Sequence, residues 1–113
     1  MKRYSFPKEK RLRSNRLFRE VISSGQCVRD RMLTIYTAKN DYVFSRLGVS
    51  VSKSSGNSVK RNRLKRLVRE VFRQHQHEIP IGFDYLVLIK RKIDQPSFEQ
   101  IKESFMSLVL QKK

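Results

Sequence analysis

The sequence contains few of the residues on which several protein classes depend. It has no Trp and a single Cys, Cys27, among its 113 residues. One cysteine can form neither an internal disulfide nor a cysteine metal cluster, which favours a reducing compartment. The longest apolar stretch, residues 85–89, is too short to cross a bilayer, and residues 1–7 lack the apolar segment of a signal peptide. We therefore expect a cytoplasmic protein.

Acidic residues are also scarce. The chain has 10 Asp and Glu against 26 Lys and Arg, which gives a formal net charge of +16. Such an excess repels itself, so we expect an anionic partner that relieves the repulsion. A nucleic acid fits, because neutralising its phosphates releases condensed counterions. An anionic membrane fits less well, because it favours an amphipathic helix with aromatic anchors such as Trp.

The same scarcity argues against an active site made of protein side chains. Phosphodiester hydrolysis needs clustered carboxylates for metal ions or a histidine pair for acid–base work. The acidic residues are scattered, and His75 and His77 are two positions apart near a predicted helix end, where they point in different directions. We expect no catalytic residues and no metal site in the protein. An intrinsic metal-dependent nuclease stays the weakest alternative.

The length and the hydrophobic pattern predict a single domain over residues 1–113, with residues 1–13 as a basic, extended N-terminal segment. The predicted order is α-β-β-α-β-α, with room for another short strand near residue 28: a small α+β two-layer sandwich with helices against one sheet. The first predicted helix is capped by Ser14 or Asn15 and ends at Gly25. A strand over 28–38, a hairpin turn at 39–41 and a strand over 43–52 follow. The rest of the chain is predicted to form a helix over 59–76 capped by Asn57 or Ser58, a central strand near 84–90, and a last helix that begins with a capping box of Ser97 and Gln100.

The strand over 43–52 has two unlike faces. Leu47, Val49 and Val51 alternate with small residues and face a core. Gly48 and Ser50 lie on the other face, together with Ser52, and leave it shallow and open. An ordinary solvated face explains the small residues equally well.

The predicted helix over 59–76 carries most of the functional signal. From Val59 to Arg73 it has seven basic residues and one acid, Glu70. On a helical wheel the apolar residues gather on one side and the cations on the other. A solvated face usually carries both signs, and like charges four apart, such as Lys65 and Arg69, weaken a helix that no anion neutralises. The pattern favours contact with phosphates, which arginine binds in a forked geometry.

Contact with RNA is more consistent with the chain than contact with DNA. Nothing in it matches a helix-turn-helix, a zinc finger or a basic zipper. Recognition of single-stranded RNA combines cations with stacking aromatic rings. Phe18 and Tyr36 are candidates for such rings, although an aromatic residue at this spacing is more often part of a core.

Two segments resemble a known signature. Residues 48–53, Gly-Val-Ser-Val-Ser-Lys, and residues 56–70, which begin Gly-Asn-Ser-Val-Lys-Arg-Asn-Arg, are similar to the signature of the bacterial ribonuclease P protein component. Residues 18–21 with Gly25, residues 33–36 and residues 84–89 fit the same family in the same order. The resemblance covers nearly the whole chain.

The resemblance implies a protein subunit of the ribonucleoprotein that removes the 5′ leader from precursor tRNA. The expected partners are the catalytic RNA subunit and precursor tRNA, without an obligatory protein partner. Mg²⁺, held mainly by the RNA, does the chemistry, and no organic cofactor is expected. The implied fold is the ribosomal protein S5 domain 2-like fold with a left-handed βαβ crossover, which local pattern alone would not predict.

The resemblance also assigns two sets of residues. The helix residues that face the catalytic RNA are Lys60, Arg61, Asn62, Arg63, Lys65, Arg66 and Arg69. The cleft that holds the single-stranded leader lies between the first helix and the sheet and is lined by Phe18 and Tyr36, with Ser50 and Lys53 near it. The chain departs from the family at Ile22, where relatives often have a second cleft aromatic. The alternative function is a general RNA-binding or ribosomal-type protein without a role in cleavage.

Overall fold

The computed structural model describes residues 11, 12, 14–90 and 96–110. Most of the predicted N-terminal segment 1–13 lies outside these residues. The elements are α1 (Asn15–Ser24), β1 (Gln26–Arg29), β2 (Thr34–Lys39), β3 (Arg46–Val51), α2 (Ser58–His75), β4 (Phe83–Ile89) and α3 (Phe98–Val109), with short 3-10 turns at Lys53–Ser55 and Gln76–Glu78. The predicted caps at Ser14, Asn57 and Ser97 are confirmed, because each side chain accepts a backbone N–H of the first helical turn.

The four strands form one sheet in the order β1-β2-β4-β3. β4 lies inside the sheet, as its two apolar faces predict, antiparallel to β2 and parallel to β3. Because β3 and β4 are parallel neighbours joined through α2, they form a βαβ unit. The left hand of this crossover stays a prediction of the resemblance.

The single strand predicted over 28–38 is wrong, because the chain turns back at Asp30. The Asp30 carboxylate Oδ1 accepts the backbone N–H groups of Met32 at 2.8 Å and Leu33 at 2.9 Å, which is how an aspartate stabilises a tight turn. The residues on either side form the antiparallel pair β1–β2. The short strand expected near residue 28 is therefore β1.

The hairpin predicted at 39–41 is also wrong. β4 lies between β2 and β3, so these two strands do not pair with each other. The connecting loop binds β4 instead: the Asn40 amide donates to Asp84 Oδ1 at 2.8 Å, and Arg46 makes a two-pronged ion pair with the same carboxylate at 2.8 and 2.7 Å. A buried aspartate with these partners fixes where the loop crosses the end of the sheet.

The two faces of β4 belong to two separate clusters. Tyr85, Val87 and Ile89 pack against α2 and α3 in the main core. Leu86 and Leu88 pack with Leu12 and with Val21 of α1 in a second cluster. The expected α+β class and order of elements are confirmed, and the structure adds that α1 covers the face opposite α2 and α3. None of the helices in the described ranges is long and apolar enough to span a membrane.

Asp30 is expected to make the stability of the fold depend on acid pH. Its second oxygen accepts the Ser104 hydroxyl at 2.6 Å, which ties the β1–β2 turn to α3. Burial acts to raise the pKa of Asp30, but the hydrogen bonds from Ser104, Leu33 and Met32 outweigh it and hold the pKa below the ordinary 3.8. A carboxyl whose pKa is lowered on folding stabilises the fold above its unfolded pKa and loses this contribution as pH falls through the folded pKa.

We therefore expect Asp30→Asn to have a shallower loss of stability than the unchanged protein between about pH 5 and pH 2. Urea unfolding at several pH values in this range measures the slope. A slope equal to that of the unchanged protein would show that Asp30 does not carry the dependence.

Candidate RNA-binding surfaces

α2 buries one side against the sheet and exposes the other. Leu64, Val68, Val71 and Phe72 are buried, and Leu67 is partly buried beside them. This is the apolar side that the helical wheel predicts. The Asn57 side chain accepts the Lys60 backbone N–H at 3.0 Å and so fixes where the helix begins.

The outer surface of α2 presents exposed cations. Asn62, Arg63 and Arg66 are exposed and, with Val59 and Leu67, line a shallow depression of about 520 Å³. Lys60 is exposed in the first turn. Within the described part of the chain no carboxylate pairs with Lys60, Arg63 or Arg66. We call Lys60, Asn62, Arg63 and Arg66 the outer surface of α2.

Two charged residues of α2 form hydrogen bonds with other groups of the protein. Arg61 is half-buried, and its guanidinium donates to the Gly56 carbonyl at 3.2 Å and to the Ser58 hydroxyl at 3.4 Å. It thereby fastens the loop before the helix. Glu70 accepts from Arg73 and from Gln74, and the bond from Arg73 is the main cause of its lowered pKa. The one acid of the basic stretch is therefore neutralised locally.

A groove of about 540 Å³ runs between α1, the outer edge of β3 and α2. It brings together residues that the sequence analysis assigns to two different surfaces: Phe18 and Ser50 from the predicted leader cleft, and Lys65 and Arg69 from the predicted RNA-facing helix. The groove is lined by Arg11, Leu12, Phe18, Leu47, Val49, Ser50, Val51, Lys65 and Arg69. We call it the β3 groove.

Gly48 allows Phe18 to lie over β3 beside this groove. A Cβ atom at position 48 would lie 2.9 Å from Phe18 Cε1 and 3.2 Å from Leu86 Cδ1. Real Cβ atoms essentially never come as close as the 2.9 Å to the Phe18 ring, so a larger residue at position 48 would make the ring shift. The small residues of β3 therefore leave room on this face of the sheet. At Gly48 the room is filled by α1, and at Ser50 it forms part of the groove.

The remaining predicted cleft residues lie outside the β3 groove, although Tyr36 packs with Phe18 against the cluster between α1 and the sheet. Tyr36 is half-buried on the α1 face of the sheet, opposite Cys27 in the β1–β2 pair, and the hydrogen bond with Cys27 raises the pKa of its hydroxyl. Lys53 is exposed in the turn after β3. Ile22, four positions after Phe18 on α1, is 40% exposed. None of the three lines the β3 groove.

Sequence reasoning missed Arg11 as a groove residue. It belongs to the basic N-terminal segment, in which nothing distinguishes it from the neighbouring lysines and arginines. The only signal is the apolar Leu12 beside it, which the structure buries at 4% exposure.

His75 and His77 lie at the end of α2 and in the 3-10 turn that follows it. His75 Nδ1 lies 3.0 Å from a Glu78 carboxylate oxygen, in a contact between neighbours along the chain. Over residues 11, 12, 14–90 and 96–110, no three His, Cys, Asp or Glu side chains are placed to hold a metal ion.

The fold and these surfaces define a class: a small α+β protein with a cationic helix and a cationic groove, suited to RNA. The model of the family Ribonuclease P matches residues 6–113. The ribonuclease P protein component of Bacillus pumilus is 38% identical over 102 residues, which are 89% of this chain and 86% of the relative. The chain belongs to the ribonuclease P protein family, and it is the protein subunit of an RNA-based endoribonuclease that acts in tRNA 5′ maturation.

Solved structures agree with this assignment. A ribonuclease P protein from Staphylococcus aureus, a mutant with defective mRNA degradation activity, has a TM-score of 0.83 at 33% identity, covering 91% of this chain and 87% of that one. The ribonuclease P protein from Thermotoga maritima in complex with 1-(4-fluorophenyl)-2-thiourea also has a TM-score of 0.83, at 31% identity, covering 90% of this chain and 99% of that one.

Proposed function

We propose that the two cationic regions of α2 bind different RNAs. The outer surface of α2 binds the catalytic RNA subunit, and the β3 groove holds the 5′ leader of precursor tRNA. The observation that carries this proposal is the convergence of Phe18 and Ser50 with Lys65 and Arg69 in one groove. In this proposal Lys65 and Arg69 bind the leader, whereas the resemblance assigns them to the catalytic RNA.

The chemistry of the β3 groove suits a single strand of RNA. Its cations can neutralise successive phosphates, while the Phe18 ring can stack on an unpaired base. Base–aromatic stacking contributes about 1–3 kcal/mol per base and tolerates any sequence. The Ser50 hydroxyl can donate to or accept from a 2′-hydroxyl or a phosphate oxygen. The outer surface of α2 has exposed cations instead, which suit the phosphates of a folded RNA.

The catalytic chemistry is assigned to the RNA subunit and its Mg²⁺ ions. The protein contributes by neutralising charge and by positioning the precursor, so it lowers the magnesium or salt concentration that the RNA needs. The cytoplasm is the compartment in which we place this function. The residues that bind RNA have no catalytic role in this proposal.

Phe18→Ala tests the leader site. In the complex with the cognate catalytic RNA, the affinity for precursor tRNA is expected to fall by about 1–3 kcal/mol, because one base loses its stacking partner. The affinity for mature tRNA, which has no leader, is expected to stay unchanged. Equilibrium binding of the two tRNAs measures both values.

Phe98→Ala is the matched control, because Phe98 is a partly buried phenylalanine of α3 that packs on the main core, on the other face of the sheet. It should weaken the fold without changing the preference for precursor over mature tRNA. Equal losses for both tRNAs in Phe18→Ala would contradict a leader site at this ring. Similar affinity of the unchanged protein for unrelated structured RNAs, without any effect on leader removal, would favour the general RNA-binding alternative.

A further inference from the structure

The loop between β2 and β3 is held in place by one asparagine. The Asn40 N–H donates to the Gly82 carbonyl at 2.8 Å, which ties the start of the loop to the segment before β4. The Asn40 side chain accepts the Tyr42 N–H at 2.8 Å and donates to the Phe44 carbonyl at 3.3 Å. Asparagine stabilises a turn by such bonds to its own backbone. The loop therefore has a fixed path before any partner binds.

Tyr42 belongs to a stack of side chains on this loop. Its ring lies against that of Phe44, with 5.1 Å between the centroids and 18° between the planes. The Arg46 guanidinium lies 4.8 Å from the Tyr42 centroid, and the ion pair with the buried Asp84 holds it there. These contacts orient the Tyr42 ring. Tyr42 nevertheless stays 50% exposed.

A cavity of about 360 Å³ opens beside this ring, between α1 and the loop. Tyr42 and Asp41 line it from the loop, Lys39 lines it from the end of β2, and Leu17 and Glu20 line it from α1. We call it the α1–loop cavity. An oriented aromatic ring at the wall of an open cavity offers a surface on which a nucleobase can stack.

The α1–loop cavity is separate from the β3 groove. Gly48 of β3 lies beneath Phe18 of α1. Two positions earlier in β3, the Arg46–Asp84 pair borders the cavity, whereas two positions later Ser50 borders the groove. Among the described residues, the cavity and the groove have no lining residue in common. An RNA strand in the β3 groove therefore leaves the cavity free.

The charges around the cavity favour a base over a phosphate inside it. Glu20 and Asp41 are exposed at its wall, and Glu20 also pairs with Arg16 at 3.3 Å. Carboxylates repel a phosphate but accept hydrogen bonds from the N–H groups on the edge of a base. Lys39 is exposed at the same wall and can bind the phosphate that follows the base.

We propose that an unpaired base of the catalytic RNA subunit enters the α1–loop cavity and stacks on the exposed part of the Tyr42 ring. The catalytic RNA is favoured over the leader as the source, because the groove assigned to the leader lies on the other side of Phe18. Asn40 and Asp84 are positioning residues, since they hold the backbone of Tyr42 and the guanidinium of Arg46. The inference rests on the catalytic RNA as partner and not on which side of α2 binds it.

Tyr42→Leu tests the stacking contact. It keeps an apolar side chain and removes the ring, so we expect the affinity for the catalytic RNA to fall about tenfold. The slope of log affinity against log salt should not change, because no charge is lost. Tyr42→Phe keeps the ring and should bind as the unchanged protein does. Equilibrium binding at several salt concentrations measures affinity and slope together.

Val43→Ala is the matched control, because Val43 is the next residue of the same loop and is 87% exposed. It should bind the catalytic RNA as the unchanged protein does. An unchanged affinity of Tyr42→Leu would overturn the inference. So would a loss in Val43→Ala or in Tyr42→Phe equal to that in Tyr42→Leu, because the contact would then depend on the loop or on the hydroxyl and not on the ring.

A benzophenone side chain incorporated at position 42 identifies the partner. In the complex with catalytic RNA and precursor tRNA, irradiation should join it to one unpaired nucleotide of the catalytic RNA. Removing the base of that nucleotide should weaken binding of the unchanged protein and have little further effect on Tyr42→Leu. Crosslinks confined to the precursor tRNA, or to a second copy of the protein, would overturn the inference.

Comparison with the α2 variants separates this inference from the proposed function. If Arg63→Ala with Arg66→Ala binds the catalytic RNA normally while Tyr42→Leu binds it weakly, the role proposed for the outer surface of α2 fails and the Tyr42 site stands. If the α2 variant binds weakly while Tyr42→Leu binds normally, the Tyr42 site fails and the proposed function stands.

Discussion

Phe72→Ala is expected to lower the free energy of unfolding by about 3–5 kcal/mol, because it removes a fully buried ring and leaves a cavity. Phe72 is 0% exposed and lies between α2 and the sheet, where its ring centroid is 6.3 Å from that of Tyr85. Urea unfolding measures the loss. The RNA affinity of the folded protein should stay near that of the unchanged protein, since no cation of α2 is removed.

Leu67→Ala provides a graded comparison on the same helix. Leu67 is only partly buried against the main core, so its truncation should cost less than the about 2–5 kcal/mol typical of a fully buried leucine. A cost for Phe72→Ala no greater than that for Leu67→Ala would contradict the orientation of α2.

The double variant Arg63→Ala with Arg66→Ala is expected to have the opposite effect. Both side chains are exposed, so stability should hardly change. Binding to the catalytic RNA should weaken on the order of a hundredfold, since two charge-assisted hydrogen bonds are lost. The slope of log affinity against log salt should become shallower by about 1.4–1.8, from about 0.7–0.9 per phosphate contact.

Arg29→Ala with Arg31→Ala removes the same charge from the exposed edge at β1 and its turn. This control should keep most of the affinity and the slope. If both double variants weaken binding equally, then total charge and not the outer surface of α2 determines RNA binding. If Arg63→Ala with Arg66→Ala unfolds the domain, the exposed face of the helix has been misassigned.

Local features of the fold could be predicted from the sequence. The buried side of α2 follows from apolar spacing, its start follows from Asn57, and the central position of β4 follows from its two apolar faces. Each depends on interactions between residues close in the chain. The break at Asp30 was missed because alternation continues on both sides of it, and one carboxylate with two backbone N–H groups decides the turn.

Long-range pairing could not be predicted in this way. Ile35 pairs with Val87, and this places β4 between β2 and β3. No pattern around residues 39–41 reveals that insertion. Only some residues of the β3 groove could be predicted. The resemblance named Phe18 and Ser50 as cleft residues. Which side of α2 faces the edge of β3 depends on the packing of the helix on the sheet. Arg11 and Arg69 line the same groove as a result of the same packing.

Leader removal from precursor tRNA, with and without the cognate catalytic RNA, tests the central claim most directly. The protein alone is expected to cut nothing, whatever the magnesium concentration. Added to the RNA, it should lower the magnesium needed for cleavage at the mature 5′ end, and the Phe18→Ala variant should help less. Cleavage by the protein without RNA, abolished by substituting its Asp or Glu residues, would contradict the account.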